Sequence, residues 1–419
     1  MMPNEAVEML CLELHGRRVG YLAGYQGGRN VLVFDEAWRQ DGERPTLSLT
    51  LRPGFPRADA LMSRPWIRQQ RLHPWFSNLL PEGVLRDWLA GGLKVHPDNE
   101  FPLLASLGHD LPGALVVSSV APDEMPDWVL SHRRSVPPIR RVAEIGHGFS
   151  LAGIQMKFSM LEQDGRFHFG HADELGDWII KTPSTRHPKV PANEATAMWL
   201  AESVGVEIPE IRLVPLSDLV ALPGINLPDE EVAYAIRRFD RQGEQRIHAE
   251  DIAQVLFRYP HEKYDGPSYE QIGKLLREFT TDGLANTQAF ARRLLVDILL
   301  ANGDAHLKNW SLLYPDQHSP RLAPAYDIVT TLAYLPGDHR LALNLNGKKA
   351  WYHLGTTDFR RWAEKTGVAW PAIESVLDDT ITSARQCWPD LLAEMPMAEE
   401  HKVILREHWR KLSPEWRIT

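Results

Sequence analysis

The sequence predicts an α+β protein in which sheets are built early and helices dominate the end of the chain. Three observations carry this expectation. Short apolar runs over 10–51 are separated by Gly, Asn, Asp and Pro; a second strand-rich stretch over 149–239 holds one early helix; and helical periodicity prevails from 249 onward. At roughly 150 residues per domain, 419 residues make room for two or three units, which we place at 1–120, 142–241 and 242–419.

In the first unit the runs Leu10-Cys11-Leu12-Glu13-Leu14, Val19-Gly20-Tyr21-Leu22, Val31-Leu32-Val33-Phe34 and Leu47-Ser48-Leu49-Thr50-Leu51 read as strands of a small antiparallel sheet. A helical pattern over 76–90 follows, with Phe76, Leu79, Leu80, Leu85, Trp88 and Leu89 at helical spacing despite Pro81. Residues 119–141, rich in Pro, Asp, Ser and Arg, have the composition of a surface crossing. Strands are expected at 149–160, 166–169, 177–181, 211–215 and 231–239, with a helix opening near Pro191. Helices are expected over 252–257, 269–279, 287–301 and in a tail from 359 to 412.

Composition narrows the function classes. With 43% hydrophobic and 24% charged residues the chain is ordinary globular material. Lys+Arg 46 against Asp+Glu 55 leaves a net charge of −9, so affinity for nucleic acid would need a partner or a local basic patch. Cys11 and Cys387 are the 2 cysteines, which indicates neither a disulfide framework nor a Cys-x-x-Cys site and suits a reducing cytoplasm. The start lacks the basic and apolar regions of a secretory leader, and Asp297 interrupts even the apolar run 294–300, so no membrane association is expected. No His-Glu-x-x-His helix or Gly-x-Ser-x-Gly elbow occurs, which sets aside zinc proteases and α/β-hydrolases.

The most informative segment is Leu299-Leu300-Ala301-Asn302-Gly303-Asp304-Ala305-His306-Leu307-Lys308-Asn309-Trp310, an apolar helix entering a polar loop and then an apolar strand. Asp304 precedes Asn309 by five positions, the separation used in phosphoryl-transfer catalytic loops. Asp304 would orient an acceptor hydroxyl and take its proton, the Asn309 amide oxygen would be a neutral Mg²⁺ ligand, and His306 would brace the loop or approach the phosphates. Asp327, after a second strand-like stretch, would be the metal carboxylate. Singly, these residues also read as a helix stop, a turn and an N-cap.

Upstream, Ser150-Leu151-Ala152-Gly153-Ile154-Gln155-Met156-Lys157 places a glycine at a bend before a strand, where backbone N–H groups could approach phosphate; an ordinary turn has the same appearance. Lys181 ends an apolar strand and Glu194 opens the next helix, the pair a kinase uses to position nucleotide, although solvated residues are the commoner outcome. The strand through Arg237 and Phe239 leads into the helical part, where backbone groups could meet adenine and Phe239 line its pocket; the alternative is a charged edge strand.

Taken together, these segments resemble the HipA kinases, the serine/threonine kinase toxins of bacterial toxin–antitoxin pairs. The resemblance rests on Asn78-Leu79-Leu80-Pro81-Glu82-Gly83, Gly108-His109-Asp110 and Gly113-Ala114-Leu115 in the first unit. Beyond it the matching positions are 150–157, Lys181, Asn193-Glu194, Arg238-Phe239-Asp240-Arg241, 302–309 and Pro324-Ala325-Tyr326-Asp327. It implies a two-lobed protein-kinase-like fold with an N-terminal α+β subdomain and a mainly helical C-terminal lobe. It further implies ATP and Mg²⁺ as cofactors, with Asp304 catalytic, Asn309 and Asp327 on the metal, Lys181 on the nucleotide phosphates, and Ala152, Gly153, Ile154, Gln155, Met156 and Lys157 as the phosphate loop.

By the same resemblance Ser150 stands where the family is autophosphorylated. A phosphate there would add about −1.5 to −2 charges beside a loop meant for ATP phosphates and act as an off-switch. The implied partners are a separate helix-turn-helix antitoxin, DNA mainly through that antitoxin, and a protein substrate of the aminoacyl-tRNA synthetase class, glutamyl-tRNA synthetase first. Two alternatives remain: a small-molecule phosphotransferase of the aminoglycoside or choline kinase type, and a degenerate kinase acting as corepressor with the antitoxin.

Overall fold

A computed structural model describes residues 5–134, 155–170, 174–220, 222 and 227–419. They divide into two compact units, the first drawn from Met1–Ala152, Arg246–His248 and Ala253–Pro260, the second from Gly153–Gln245, Ala249–Ile252 and His261–Thr419.

The first unit is built on a five-stranded antiparallel sheet in the order Trp66–Gln69, Arg29–Phe34, Arg17–Tyr25, Val7–Leu14, Leu115–Ser119. The period-2 alternation of Val7–Leu14 sends Leu10, Leu12 and Leu14 into a core shared with Leu22, Leu32, Phe34, Trp75 and Leu104. Met9, Tyr25 and Val31 form a second cluster with Val129 of the short helix Asp127–Ser131. The Tyr25 hydroxyl donates to the Val129 carbonyl at 3.0 Å, so both faces of the sheet are covered.

Two expectations for this unit are corrected. The run Leu47 to Leu51 is not a strand: Leu49–Leu51 is a 3-10 turn. Its alternate leucines are all buried, so the pattern reported burial without a ladder partner. The helical pattern over 76–90 is broken into Pro74–Ser77 and Gly83–Gly92, because Pro81 lacks the N–H that a continuous helix would need there. Strands Trp66–Gln69 and Leu115–Ser119 and the helix Asp127–Ser131 went unanticipated.

In the second unit a five-stranded sheet runs in the order Arg166–His168, Lys157–Gln163, Trp178–Lys181, Val232–Arg237, Ile211–Pro215. Its four strand pairings are all antiparallel. Helix Val190–Ser203 packs on Val232–Arg237 and Ile211–Pro215 and is buried along nearly its whole length. The strand expected over 231–239 ends at Arg237; the helix expected over 252–257, most of which falls in the first unit, is a single turn, Ile252–Val255.

Helices Tyr269–Phe279, Gly283–Leu299, Thr356–Thr366, Trp370–Glu394 and Glu399–Lys411 follow. A capping box of Ser268 and Gln271 starts the first, and the Asp282 carboxylate accepts from Ala285 N at 2.9 Å to start the second. The far end of Gly283–Leu299 is buried, so its last carbonyls need side-chain donors. His408 Nε2 donates to Ile298 O at 2.7 Å and Trp409 Nε1 to Leu299 O at 2.9 Å. The helix therefore delivers residues 300–309 from a fixed end. Among the described residues no helix is long and apolar enough to cross a membrane.

Candidate active site

The end of Trp178–Lys181 turns the Lys181 side chain into the interior, where it is almost inaccessible. A buried ammonium requires compensating charge, and two carboxylates supply it: Lys181 Nζ bonds to Glu194 of helix Val190–Ser203 and to Asp327. Lys157 Nζ, half-exposed at the start of the neighbouring strand, reaches the second Asp327 oxygen at 2.9 Å. Lys157, Lys181, Glu194 and Asp327, separated by up to 170 positions, thus form one cluster.

Burial pushes the Glu194 carboxyl up despite the adjacent Lys181. At Asp327, desolvation also opposes charge, but the Lys157 and Lys181 ammonium groups overcome it and hold the carboxyl well below the usual carboxylate range.

Asp327 has a left-handed backbone with φ 56, as does Ala301 with φ 53 at the entrance to the polar loop. Such conformations cost non-glycine residues and persist where the surroundings over-determine them. At Ala301 the surroundings are Thr331: its N and Oγ1 donate to the Ala301 carbonyl at 3.1 and 3.0 Å, while its Oγ1 accepts from Gly303 N at 2.8 Å. A Cβ on Gly303 would lie 2.9 Å from the Arg340 carbonyl, so this position takes no larger residue without movement.

Within the loop, Asn309 Nδ2 donates to the Asp304 carbonyl at 2.8 Å and Asn309 N to the His306 carbonyl at 3.0 Å. The Asn309 side-chain nitrogen therefore closes the loop, and its Oδ1 is the atom chemically able to serve as a neutral ligand. His306 is buried with its ring edge-on to Tyr264 at 5.1 Å. Asp304 Oδ1 accepts from the Tyr264 hydroxyl at 2.5 Å.

Arg293 joins this loop to the Asp327 stretch. Buried in helix Gly283–Leu299, its Nη2 donates to the Asn309 carbonyl at 2.5 Å and to the Tyr326 carbonyl at 3.2 Å. The Tyr326 hydroxyl in turn donates to the Lys308 carbonyl at 2.7 Å. Beneath, Asn302 Nδ2 donates to Asp297 Oδ1 at 2.8 Å, and burial pushes the Asp297 carboxyl up to about 6 against the pull of Arg293.

At the expected adenine corner several polar groups are paired within the protein. Arg237 N donates to the Glu210 carbonyl at 2.8 Å and its guanidinium faces Glu210 at 3.3 Å, so its N–H is already engaged. Arg238 is buried in a fork with Asp240 at 3.0 and 2.8 Å and reaches Ser159 Oγ at 2.9 Å, which fixes the corner. Phe239 lies against the Tyr326 ring, centroids 5.6 Å apart, next to Asp327. Of the expected phosphate loop, Met156 is tied to Thr182 by N to Oγ1 at 3.3 Å and by its carbonyl to Thr182 N at 3.0 Å. Gln155 is half-buried beside it, and Ser150, Ala152, Gly153 and Ile154 lie outside the described residues.

Among the described residues no three His, Cys, Asp or Glu side chains gather as a metal site. Magnesium held together with nucleotide needs only one or two carboxylates, the remaining ligands being phosphate oxygens, water and neutral donors. Asp327 and Asn309 fit that requirement. The sequence reading assigned no site role to Arg293, Tyr326, Tyr264 or Asp297. The signal available for two of them was a pair of charges four residues apart, Arg293 and Asp297, in the mostly apolar second half of helix Gly283–Leu299.

A family model described as the HipA N-terminal domain matches residues 11–118, and one described as the HipA-like C-terminal domain matches residues 149–388. The chain is 38% identical to Y4dM of Sinorhizobium fredii over 397 residues, 94% of each chain. It is 25% identical to the serine/threonine-protein kinase toxin HipA of Shewanella oneidensis over 324 residues, covering 70% of this chain and 71% of that protein. A chain in the solved complex of Shewanella oneidensis HipA, HipB and operator DNA has the same fold, with TM-score 0.71 at 21% identity over 97% of this chain and 96% of that one. The mixed helix-and-sheet architecture and these two matched regions make this chain a member of the HipA family.

Proposed function

We propose that the chain is an ATP- and Mg²⁺-dependent serine/threonine protein kinase, the toxin of a toxin–antitoxin pair that halts growth by phosphorylating an aminoacyl-tRNA synthetase. The observation that carries the reading is the Lys181 ammonium bridging Glu194 and Asp327, with the Asp304–Asn309 loop tied to the same stretch through Arg293. Phosphoryl transfer needs positioning and charge stabilisation more than covalent chemistry, and these residues offer both.

In this reading Lys181 and Lys157 turn from Asp327 toward the nucleotide phosphates, Glu194 keeps Lys181 in place, and Asp327 and Asn309 hold the metal. Bound magnesium supplies neutralisation of the charge that develops on the phosphates. Asp304 accepts the proton of the acceptor hydroxyl. Phe239 lines the adenine side. Ser150 is the autophosphorylated off-switch, glutamyl-tRNA synthetase is the first target to examine, and a helix-turn-helix antitoxin is the partner through which DNA is bound in the cytoplasm.

The test is incubation with labelled ATP and Mg²⁺, with and without bacterial lysate, for the parent chain and Asp304→Asn. Labelled protein bands in the parent alone are expected, with phosphate on Ser150 found by mass spectrometry. A labelled small molecule in place of a protein, or equal labelling by Asp304→Asn, would refute the reading.

A further inference from the structure

Tyr264 stands on the turn before helix Tyr269–Phe279, and this turn is fastened to the Asp304 loop by Leu307 N donating to the Lys263 carbonyl at 3.2 Å. Its ring lies edge-on to His306, with the Lys263 ammonium 5.6 Å from the ring centroid. Its hydroxyl donates to Asp304 Oδ1 at 2.5 Å, while 44% of the residue remains exposed to solvent.

A general base acts on a hydroxyl within hydrogen-bond reach, about 2.6–3.2 Å. The Tyr264 phenol offers, at a carboxylate oxygen of Asp304, the same donor chemistry as an acceptor hydroxyl. We propose that Tyr264 is a gate in the acceptor site: its hydroxyl occupies the acceptor position on Asp304 at rest, and a protein substrate must displace it. This rests on the kinase reading above.

In the step that follows displacement, the acceptor oxygen forms a bond to the γ-phosphorus, the bond from that phosphorus to the bridging oxygen breaks, ADP leaves with the electron pair, and the acceptor proton passes to Asp304. With the phenol in place, water or a serine hydroxyl must compete with it for that oxygen. The gate thus limits idle ATP hydrolysis and favours acceptors that dock well enough to move the turn. Its exposure lets Tyr264 swing out without opening a core.

Removing the hydroxyl should therefore accelerate turnover. Phosphate release from Mg–ATP without added acceptor, and label transfer into lysate proteins, are measured for the parent, Tyr264→Phe, Tyr264→Ala and Asp304→Asn. Tyr264→Phe keeps the ring against His306 and is expected to raise both rates about five- to tenfold, with Tyr264→Ala raising them at least as much. Asp304→Asn should abolish both. Rates that fall or stay level in Tyr264→Phe, while Asp304→Asn still abolishes activity, would overturn the gate and leave the kinase reading standing. Absence of any turnover in the parent and in Tyr264→Phe would overturn the kinase reading and the gate with it.

Discussion

The Arg293 guanidinium donates to the Asn309 carbonyl at 2.5 Å, and the same nitrogen reaches the Tyr326 carbonyl at 3.2 Å. One buried cation therefore sets the spacing between the two segments that carry the candidate metal ligands. The guanidinium also lies over the Trp310 ring, 4.3 Å from its centroid, so its position is defined by packing as well as by hydrogen bonds. Lysine has neither the fork nor the planar face. Arg293→Lys is expected to lower kcat more than tenfold and raise the Mg²⁺ concentration needed for half-maximal rate. Loss of these bonds should lower stability by about 1–3 kcal/mol, read by urea unfolding.

Lys181 is the next point of leverage, because its removal strands Glu194, whose side chain is 1% exposed. Breaking a buried pair from one side costs about 3–5 kcal/mol. Glu194 is already raised by burial, and losing Lys181 raises it further. The folded variant then holds a proton that the unfolded chain releases, so its stability declines as pH rises above the ordinary glutamate range. Lys181→Met should accordingly be more destabilised at pH 8 than at pH 5. Lys181→Met with Glu194→Gln should recover stability at pH 8 without recovering activity; equal stability of the two variants there would count against the argument.

These residues differ in how far the sequence exposed them. Lys181 and Glu194 were legible only through their order relative to the Asp304 loop, since singly such residues are more often solvated, and the spacing of Asp304 and Asn309 marked the loop. Tyr264 was not legible: it sits in a turn without periodicity, and its bond to Asp304 spans 40 positions. Arg293 was half-legible, as a charge inside a buried helix, but its acceptors are backbone carbonyls, which have no sequence signature. In the first unit the sheet was readable from alternation, yet the leucines at 47, 49 and 51 show the same alternation without a strand. Burial writes itself into sequence; the hydrogen-bond partner does not.

Gly303 tests whether the loop tolerates displacement. A Cβ there would meet the Arg340 carbonyl at 2.9 Å and Thr331 Oγ1 at 3.1 Å, and that hydroxyl is engaged with Gly303 N and the Ala301 carbonyl. Overpacking against backbone costs about 1–3 kcal/mol, and the loop that moves carries Asp304. Gly303→Ala should lose at least tenfold in kcat with a smaller change in the Michaelis constant for ATP, since Lys181 and Asp327 are untouched. Full activity would mean that the loop is not held as tightly as the contacts imply.

Asp297 gives the site a pH signature of its own. Burial raises its carboxyl to about 6, against an ordinary value of 3.8, while Oδ1 holds Asn302 at the start of the loop. Between pH 4 and pH 6 the folded state binds one more proton than the unfolded chain at this position. The stabilisation is complete below the ordinary carboxylate range and disappears as pH rises through 6, with a slope of about 1.4 kcal/mol per pH unit within the window. Asp297→Asn keeps an oxygen for Asn302 Nδ2 and removes the titration. Urea midpoints at pH 4.5, 5.5 and 7 should then show a shallower decline with pH in the variant than in the parent. Parallel curves would show that Asp297 does not titrate in this window.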